Sequence, residues 1–405
     1  MEFRENIDKE SYKKFAERTD KSHFLQSYEW GQFCQKAKKQ IAEYVGLFDD
    51  NNNLVATCLI VLKKTPLGFS YGYAPRGFLL DYSDYSLIRK FTEYLREYMK
   101  KKKIIYIKFD PDIKYQDIDE DGKKIESDNN NYKLYKYLLS LGYKHTGFYK
   151  LYMGNQPRYT FRINLHDTWD NIEKKMSKSF LKSVSRSEYY ELEIDNENKV
   201  EEFYNLMREN SKKDGFDAHT LSYYEIFNEE NKDNLKYFNI SINVDKLMKK
   251  LKKEKKEKEE ELKLAKKRKE DIQNKLNKIN KDIEVFGKCH EDKILVCSLI
   301  CIYTHNRCWS LFIGSDNYAN NSFAISRAYM EAIKDAYARK LDFFDLFGTT
   351  GDPHTTYKNL AKLHDFKRKF GDEYIEFIGE FDLVNKPLLY KALPVMLKVY
   401  RKIRG

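Results

Sequence analysis

Ile104-Ile105-Tyr106-Ile107-Lys108-Phe109-Asp110-Pro111 reads as a strand stopped by an Asp-Pro turn. A helical pattern over 86–102 delivers it, and a hairpin precedes that helix: strand-like 42–47, the Asn51-Asn52-Asn53 turn and strand-like 54–62. About 240 residues later the order returns as strand-like 294–303, the His305-Asn306 turn, strand-like 308–313 and a helix over 322–340. That helix leads into Leu341-Asp342-Phe343-Phe344-Asp345-Leu346-Phe347, closed by Gly348. Apolar strands crossed by amphipathic helices, in two copies, predict twin α/β (α+β) domains with mixed sheets.

Between the copies lies a segment of opposite character. Residues 245–284 contain no Gly, Pro or aromatic, and carry sixteen Lys and Arg against ten Asp and Glu, a net of +6 within a chain of +11. Leu247, Leu251, Leu262, Ala265, Ile272, Leu276, Ile279 and Ile283 recur at the three-and-four spacing of a coiled-coil seam, too narrow to cover more than one partner helix. Strand-like runs flank it at 235–244 and 293–303, so the chain must fold back. The pattern predicts an antiparallel helical hairpin turning near 259–264. Its charge suits a polyanion or serves solubility alone.

At 405 residues, 41% hydrophobic and 15% aromatic, the chain fits two cores plus the arm. The expected division is 1–155 for the first domain, 156–244 with 285–385 for the second, 245–284 for the arm and 386–405 for a terminal helix. No apolar run reaches the roughly 18–20 residues of a membrane span, and the charged start is unlike a leader peptide, so a cytoplasmic protein is expected. The six cysteines show no zinc spacing and no metal site is expected. Residues 386–405 place Leu388, Leu389, Leu393, Met396, Leu397, Val399 and Ile403 beside Lys391, Lys398, Arg401, Lys402 and Arg404. This is either a basic amphipathic helix for peripheral contact with a membrane or a helix docked on its own domain. A polar loop at 116–131 reads as a mobile surface insertion. One helical region is expected over 167–190 with Asp167 as its N-cap, another over 199–213 stopped by Asp214-Gly215, and a short one over 221–227 capped by Thr220.

A series of motifs in order resembles the Fem family of peptidoglycan bridge-forming aminoacyltransferases. Phe24-Leu25-Gln26-Ser27-Tyr28-Glu29-Trp30-Gly31 is similar to the family's opening signature, followed by Lys36. Tyr73-Ala74-Pro75-Arg76-Gly77-Phe78 resembles its Pro-Arg-Gly-Pro segment, with Phe78 for the second Pro, and Phe109-Asp110-Pro111 resembles its strand-ending Asp-Pro. Asp214-Gly215-Phe216 with Tyr223-Tyr224 resembles the start of its second domain, and Phe343 to Gly348 its Asp-x-x-Gly strand end. His364-Asp365-Phe366-Lys367-Arg368-Lys369-Phe370-Gly371 resembles its Phe-Lys-x-x-Phe signature. The chain departs from the pattern at His219, where relatives carry an Arg, and at Phe180-Leu181-Lys182 in the basic helix over 177–186.

The resemblance implies two acetyltransferase-like domains, an aminoacyl-tRNA co-substrate with no other cofactor, and a peptidoglycan precursor as acceptor, either lipid II or its soluble nucleotide form. It implies attack of a precursor amine on the aminoacyl ester, with the protein aligning the two and stabilising the oxyanion. Lys367 is the candidate for that stabilisation, against the alternative of one more surface Lys beside Lys362, Arg368 and Lys369. Asp110 is the candidate to orient and deprotonate the amine, against an ordinary strand-ending turn. Lys36 and Arg76 are the candidates for precursor phosphates, with His219 at the position that lost its Arg. Tyr223 is a candidate hydrogen-bonding group or a core aromatic, and Phe366 a candidate partner for the terminal adenosine. The arm is a candidate for tRNA contact or self-association. Two rival readings stand beside this one. An acyl-CoA-dependent N-acetyltransferase shares the fold type but needs a Gly-rich helix opening, which Asn320-Asn321-Ser322-Phe323-Ala324-Ile325 lacks. A non-catalytic scaffold would use the arm and tail alone.

Overall fold

The computed structural model describes residues 1–65, 68–151, 153–215, 217–370 and 373–404, with 214 and 399–404 described by backbone alone. Phe216 and Gly371 of the quoted motifs, and Gly405, lie outside the described residues. Fifteen strands are described: β1 (Glu2–Glu5), β2 (Ile41–Phe48), β3 (Leu54–Lys64), β4 (Ser70–Ala74), β5 (Ile104–Phe109), β6 (Lys114–Gln116), β7 (Tyr143–His145), β8 (Tyr159–Asn164), β9 (Leu192–Asp195), β10 (Leu235–Asn243), β11 (Lys293–Tyr303), β12 (Arg307–Ser315), β13 (Phe343–Thr349), β14 (Glu373–Phe377) and β15 (Phe381–Val384). They form a seven-stranded sheet ordered β1-β2-β3-β4-β5-β15-β7 and an eight-stranded sheet ordered β6-β14-β8-β13-β12-β11-β10-β9.

The duplicated order holds, with its register corrected by one strand. Each sheet contains an antiparallel meander, β2-β3-β4 or β10-β11-β12, whose last strand runs parallel to the next one, β5 or β13, after a helical crossover. The hairpin that matches β11-β12 is therefore β3-β4. β4 escapes sequence reading because Pro75 cuts its alternation short after five residues. In the first crossover, Tyr85–Lys101, Ile88, Phe91, Leu95 and Met99 recur at helical spacing and are buried, while the Asp84 carboxylate caps the first turn through Leu87 N at 2.9 Å. The second crossover, Ala324–Ala338, buries Ala328, Ala332, Ile333 and Ala336 the same way.

Two short strands change sheets, so the expected cuts at 155 and 385 do not follow sheet membership. β6, expected in the first domain, pairs with β14 in the second sheet, and β15, expected in the second domain, inserts between β5 and β7 in the first. The crossing segments run side by side, with Ile378 N donating to Ile113 O at 2.8 Å. The 116–131 loop is tied down at its start by β6 and by an Ile118–Lys124 bridge, and Ile118 is buried.

The arm consists of helices Val244–Leu264 and Lys269–Phe286. Asn243 caps the first through Lys246 N at 3.0 Å. The turn falls at 265–268, a few residues beyond the expected 259–264, because the first helix runs on through its Lys- and Glu-rich end to Leu264 and reverses where Arg268 takes a left-handed conformation. Met248 lies beside Gly287, so the helices run antiparallel, and Leu247, Leu251, Ile272, Leu276, Ile279 and Phe286 are buried between and beneath them. The region expected as one helix over 167–190 is two, Trp169–Lys175 and Lys178–Ser187, capped by Thr168 and Ser177 rather than by Asp167. Each hydroxyl accepts from a backbone N–H three residues on, which closes one helix and opens the next.

Candidate active site

The β4-β5 parallel pair forms the floor of a cavity of about 220 Å³ lined by Tyr71, Tyr73, Tyr106 and Lys108 from the sheet. Trp30, Cys34 and Lys38 from the Tyr28–Lys38 helix wall one side, and Asn155 with Gln156 close another. The Lys38 ammonium lies over the Trp30 ring at 4.6 Å and the Phe33 ring at 5.2 Å. Phe33 meets Tyr223 edge-on at 5.0 Å, and Tyr223 stacks on His219 at 3.8 Å. His219 and Tyr223 are thus gathered on the Lys38 side of this cavity. Lys36, two residues earlier, is not: it points away and pairs with Glu230 of the Leu221–Asn231 helix. Residues two apart on a helix sit on different faces, so a motif that locates a basic segment does not choose between its lysines.

The floor continues from Tyr73 to Asp110. Tyr73 donates its hydroxyl to Asp110 Oδ1 at 3.0 Å, and Arg76 donates its backbone N–H to the same oxygen at 2.9 Å. Asp110 Oδ2 lies 3.9 Å from Arg76 Nη1 and has no hydrogen-bond partner among the described residues. Burial pushes the Asp110 carboxyl up to about 6, against the opposing pull of Arg76 and of these hydrogen bonds. Arg76 is buried as well, donating to Pro157 O at 2.7 Å with its guanidinium over the Phe377 face at 4.1 Å. Both residues line a second, smaller cavity with Tyr149, Arg158, Phe377 and Glu380. Neither is the plain surface charge or open turn that spacing alone allows.

Lys367 ends the Lys358–Lys367 helix and is 7% exposed. The cause lies in β13. Its pairing with β8 is interrupted between Asp345 and Gly348, Phe347 takes a φ of 56°, and the carbonyls of Phe347 and Gly348 turn to the lysine. Lys367 Nζ donates to them at 2.9 and 2.7 Å. Burial pulls its ammonium down to about 7, partly offset by Asp345. A surface role is thereby excluded. Its neighbour Phe366 is half-buried and packs on Tyr329 at 5.6 Å and Phe370 at 4.8 Å, so the structure uses that ring inside the second core.

An ion network joins the two regions, and no motif pointed to it. Asp112, just past Asp110, accepts from Arg162 Nη2 at 2.7 Å and Arg307 Nη1 at 3.2 Å, while Arg162 Nε donates to Asp345 at 2.8 Å. Arg307 also donates to the carbonyl of Ser22 at 3.0 Å and to that of Asp20. Burial opposes the Asp112 charge, but Arg162 and Arg307 together hold the carboxyl well below the usual carboxylate range. From Asp110 the path runs through Arg76, the Phe377 ring, Arg162 and Asp345 to the neighbourhood of Lys367. The one legible signal was the carboxylate pair either side of Pro111 at a strand end.

The chain matches the FemAB family over residues 7–398. It is 27% identical over 424 aligned residues to "Aminoacyltransferase FemA" of Staphylococcus aureus strain MW2, an alignment covering 98% of this chain and 99% of the relative. A FemA of Staphylococcus aureus strain bovine RF122 / ET3-1 is 32% identical over 177 residues, 42% of this chain and 41% of the relative. Among solved structures, that of FemX superposes with a TM-score of 0.77 at 21% identity, covering 96% of this chain and 99% of that one, which shows a shared fold.

Proposed function

The chain belongs to the FemAB family, and from that premise we infer that it is an aminoacyltransferase of peptidoglycan bridge formation. It takes an amino acid from aminoacyl-tRNA and joins it to the stem-peptide amine of a peptidoglycan precursor, lipid-linked or in soluble nucleotide form. The observation that carries this reading is the family match across almost the whole chain, in line with the order of motifs along it. We read the two sheets as twin acetyltransferase-like domains that exchange one strand each, divided near 155 and 385, with 245–284 as a coiled-coil arm and 386–405 as a terminal helix. The arm's net charge of +6 supports a tRNA contact. The protein would act on the cytoplasmic side, where charged tRNA is found.

In this chemistry the precursor amine attacks the ester carbonyl carbon, a C–N bond forms, and the carbonyl oxygen becomes an oxyanion. Collapse breaks the C–O bond to the tRNA ribose, and the proton lost by the amine ends on the ribose oxygen. Asp110 suits the proton-accepting step: one oxygen is held by Tyr73 and Arg76, and the other has no hydrogen-bond partner among the described residues. Lys367 suits the oxyanion. An ammonium has three N–H donors and two are taken by carbonyls, leaving one directed charge in a dry setting. For the anionic groups of the precursor, Lys38, Lys63 and Lys108 line the main cavity directly, with His219 and Tyr223 beside it. Lys36 and Arg76 would serve there only by leaving Glu230 and Pro157. Phe366 would meet the tRNA terminus only by its exposed edge.

The acyl-CoA alternative fares poorly at both helix openings where a pyrophosphate would sit. The Asp84 carboxylate fills the first, and the short helix Asn317–Ser322 runs directly into the second through left-handed Phe323. Purified protein, a panel of charged tRNAs and both precursor forms test the reading. Extended stem peptide is the expected product. Acyl-CoA turnover would favour the first alternative, and no turnover with any donor the scaffold.

A further inference from the structure

The helix Pro387–Arg404 is apolar on two sides. Its inner side is accounted for. Leu393 is buried, Leu389, Met396 and Leu397 are half-buried at matching helical spacing, and Tyr390 donates to Asp382 at 2.7 Å and meets Tyr106 edge-on at 5.2 Å. The preceding turn is pinned to β5, with Asn385 N and Lys386 N both donating to Ile105 O. The outer side is not accounted for. Leu388 is 84% exposed and Val395 65%, and with exposed Ala392 they fall at i, i+4 and i+7, one stripe along the solvent face. A surface helix ordinarily fills that face with charge. Here the charges, Lys391 and Lys398, stand exposed beside the stripe.

We propose that this outer stripe lies in the surface of an anionic membrane, and that the acceptor is therefore the lipid-linked precursor. Charge decides among occupants. A second copy packed stripe to stripe would bring the same lysines face to face, whereas anionic headgroups complement them and the chain's overall +11. None of the described helices is long and apolar enough to cross a bilayer, so the helix rests in the interface. Position supplies the link to substrate. Tyr106, which touches Tyr390 on the helix, and Lys108, which pairs with the same Asp382 at 3.0 Å, both line the main cavity. Helix and cavity thus share one side of the first sheet, and a headgroup entering from the bilayer would meet the cavity first. This step rests on the transferase reading above, whereas the membrane contact does not.

The test is flotation of the full chain with phosphatidylcholine vesicles, with and without phosphatidylglycerol, for the native protein, L388E/V395E and K391E/K398E. All four substituted positions are exposed, and unchanged circular dichroism and melting verify each fold. Native protein should float only with anionic vesicles. The apolar variant should lose at least about tenfold in binding, and the charge variant about fivefold per lysine with a flatter salt dependence. Turnover on vesicle-embedded lipid-linked precursor should fall in parallel, with turnover on the soluble nucleotide precursor unchanged. Native protein that stays off anionic vesicles overturns the proposal, as does L388E/V395E floating like native protein. A change from dimer to monomer in that variant, with flotation unaltered, would assign the stripe to a second copy and equally overturn it. Flotation without turnover on either acceptor would fail the transferase reading while upholding the membrane contact.

Discussion

The two buried titratable groups predict a narrow bell in the pH dependence of turnover. Asp110 must be ionised to accept a proton and is pushed up to about 6; Lys367 must be protonated to meet an oxyanion and is pulled down to about 7. The alkaline limb follows from hydrogen-bond geometry. Neutral Lys367 has two N–H groups, both needed by the carbonyls of Phe347 and Gly348, and its lone pair would stand where the third N–H stood. Deprotonation therefore replaces a donor by a repulsive lone pair, and turnover should drop about tenfold per pH unit above the upper limb. Lys367→Ala should lose roughly a hundredfold to a thousandfold, the usual loss for one oxyanion donor. Lys367→Arg should lose the alkaline limb, since a guanidinium stays charged. Stability should move the opposite way. Unfolding restores the lysine to its ordinary value of 10.5, so above pH 7 the unfolded chain holds a proton that the folded chain has released. Folding free energy thus rises with pH across that window, by at most on the order of 5 kcal/mol. Single-turnover rates on the soluble precursor, corrected for spontaneous ester hydrolysis, measure the bell, and urea titrations at each pH measure the stability. A turnover rate flat from neutral pH into the alkaline range, or full turnover by Lys367→Ala, would refute the reasoning.

Tyr73→Phe removes a hydrogen bond that favours ionised Asp110, so the acid limb should shift upward by about one pH unit with the alkaline limb in place. Asp112→Asn leaves Arg162 and Arg307 short of a buried partner and should cost about 3–5 kcal/mol in urea unfolding. Because the Asp112 carboxyl lies far below its ordinary value when folded, native stability from this group is present above about pH 4 and declines as pH falls below it, a slope the variant should lack. Replacing 252–277 by a short Gly linker should leave the melting temperature of the body nearly unchanged while weakening tRNA binding and lowering its salt slope by about one for each phosphate no longer neutralised; an unaltered slope would release the arm from that role.

Much of the architecture was legible because it is written in local pattern. The crossovers at 85–101 and 324–338 show helical periodicity, β5 and β13 end in clear stops, and the arm announces itself by its composition and seam. The departures share a cause, which is that their partners are remote in sequence. β6 and β15 are three and four residues long, too short to carry a period, and each is fixed by a ladder to a strand hundreds of residues away. The motif around Lys367 identified the residue but not its burial, since its neighbours Arg368 and Lys369 have the look of a solvated helix end; the irregularity in β13 that swallows it is a property of tertiary pairing. Asp110 was found by its place at a strand end, whereas the hydroxyl of Tyr73 that holds it comes from the strand that sequence reading missed.

The exchange of β6 and β15 has a mechanical consequence. Cutting the chain near 155 would strip the first half of the strand that bonds β5 to β7, and would leave β6 dangling without β14. Neither half is then a separable module, and limited proteolysis or split expression should yield fragments that associate rather than fold alone. Opening and closing by a free hinge is barred for the same reason, because any swing between the halves must tear ladder bonds at two laced crossings. Substrates must be admitted by side chains and by loops such as 147–157, around a frame that stays shut.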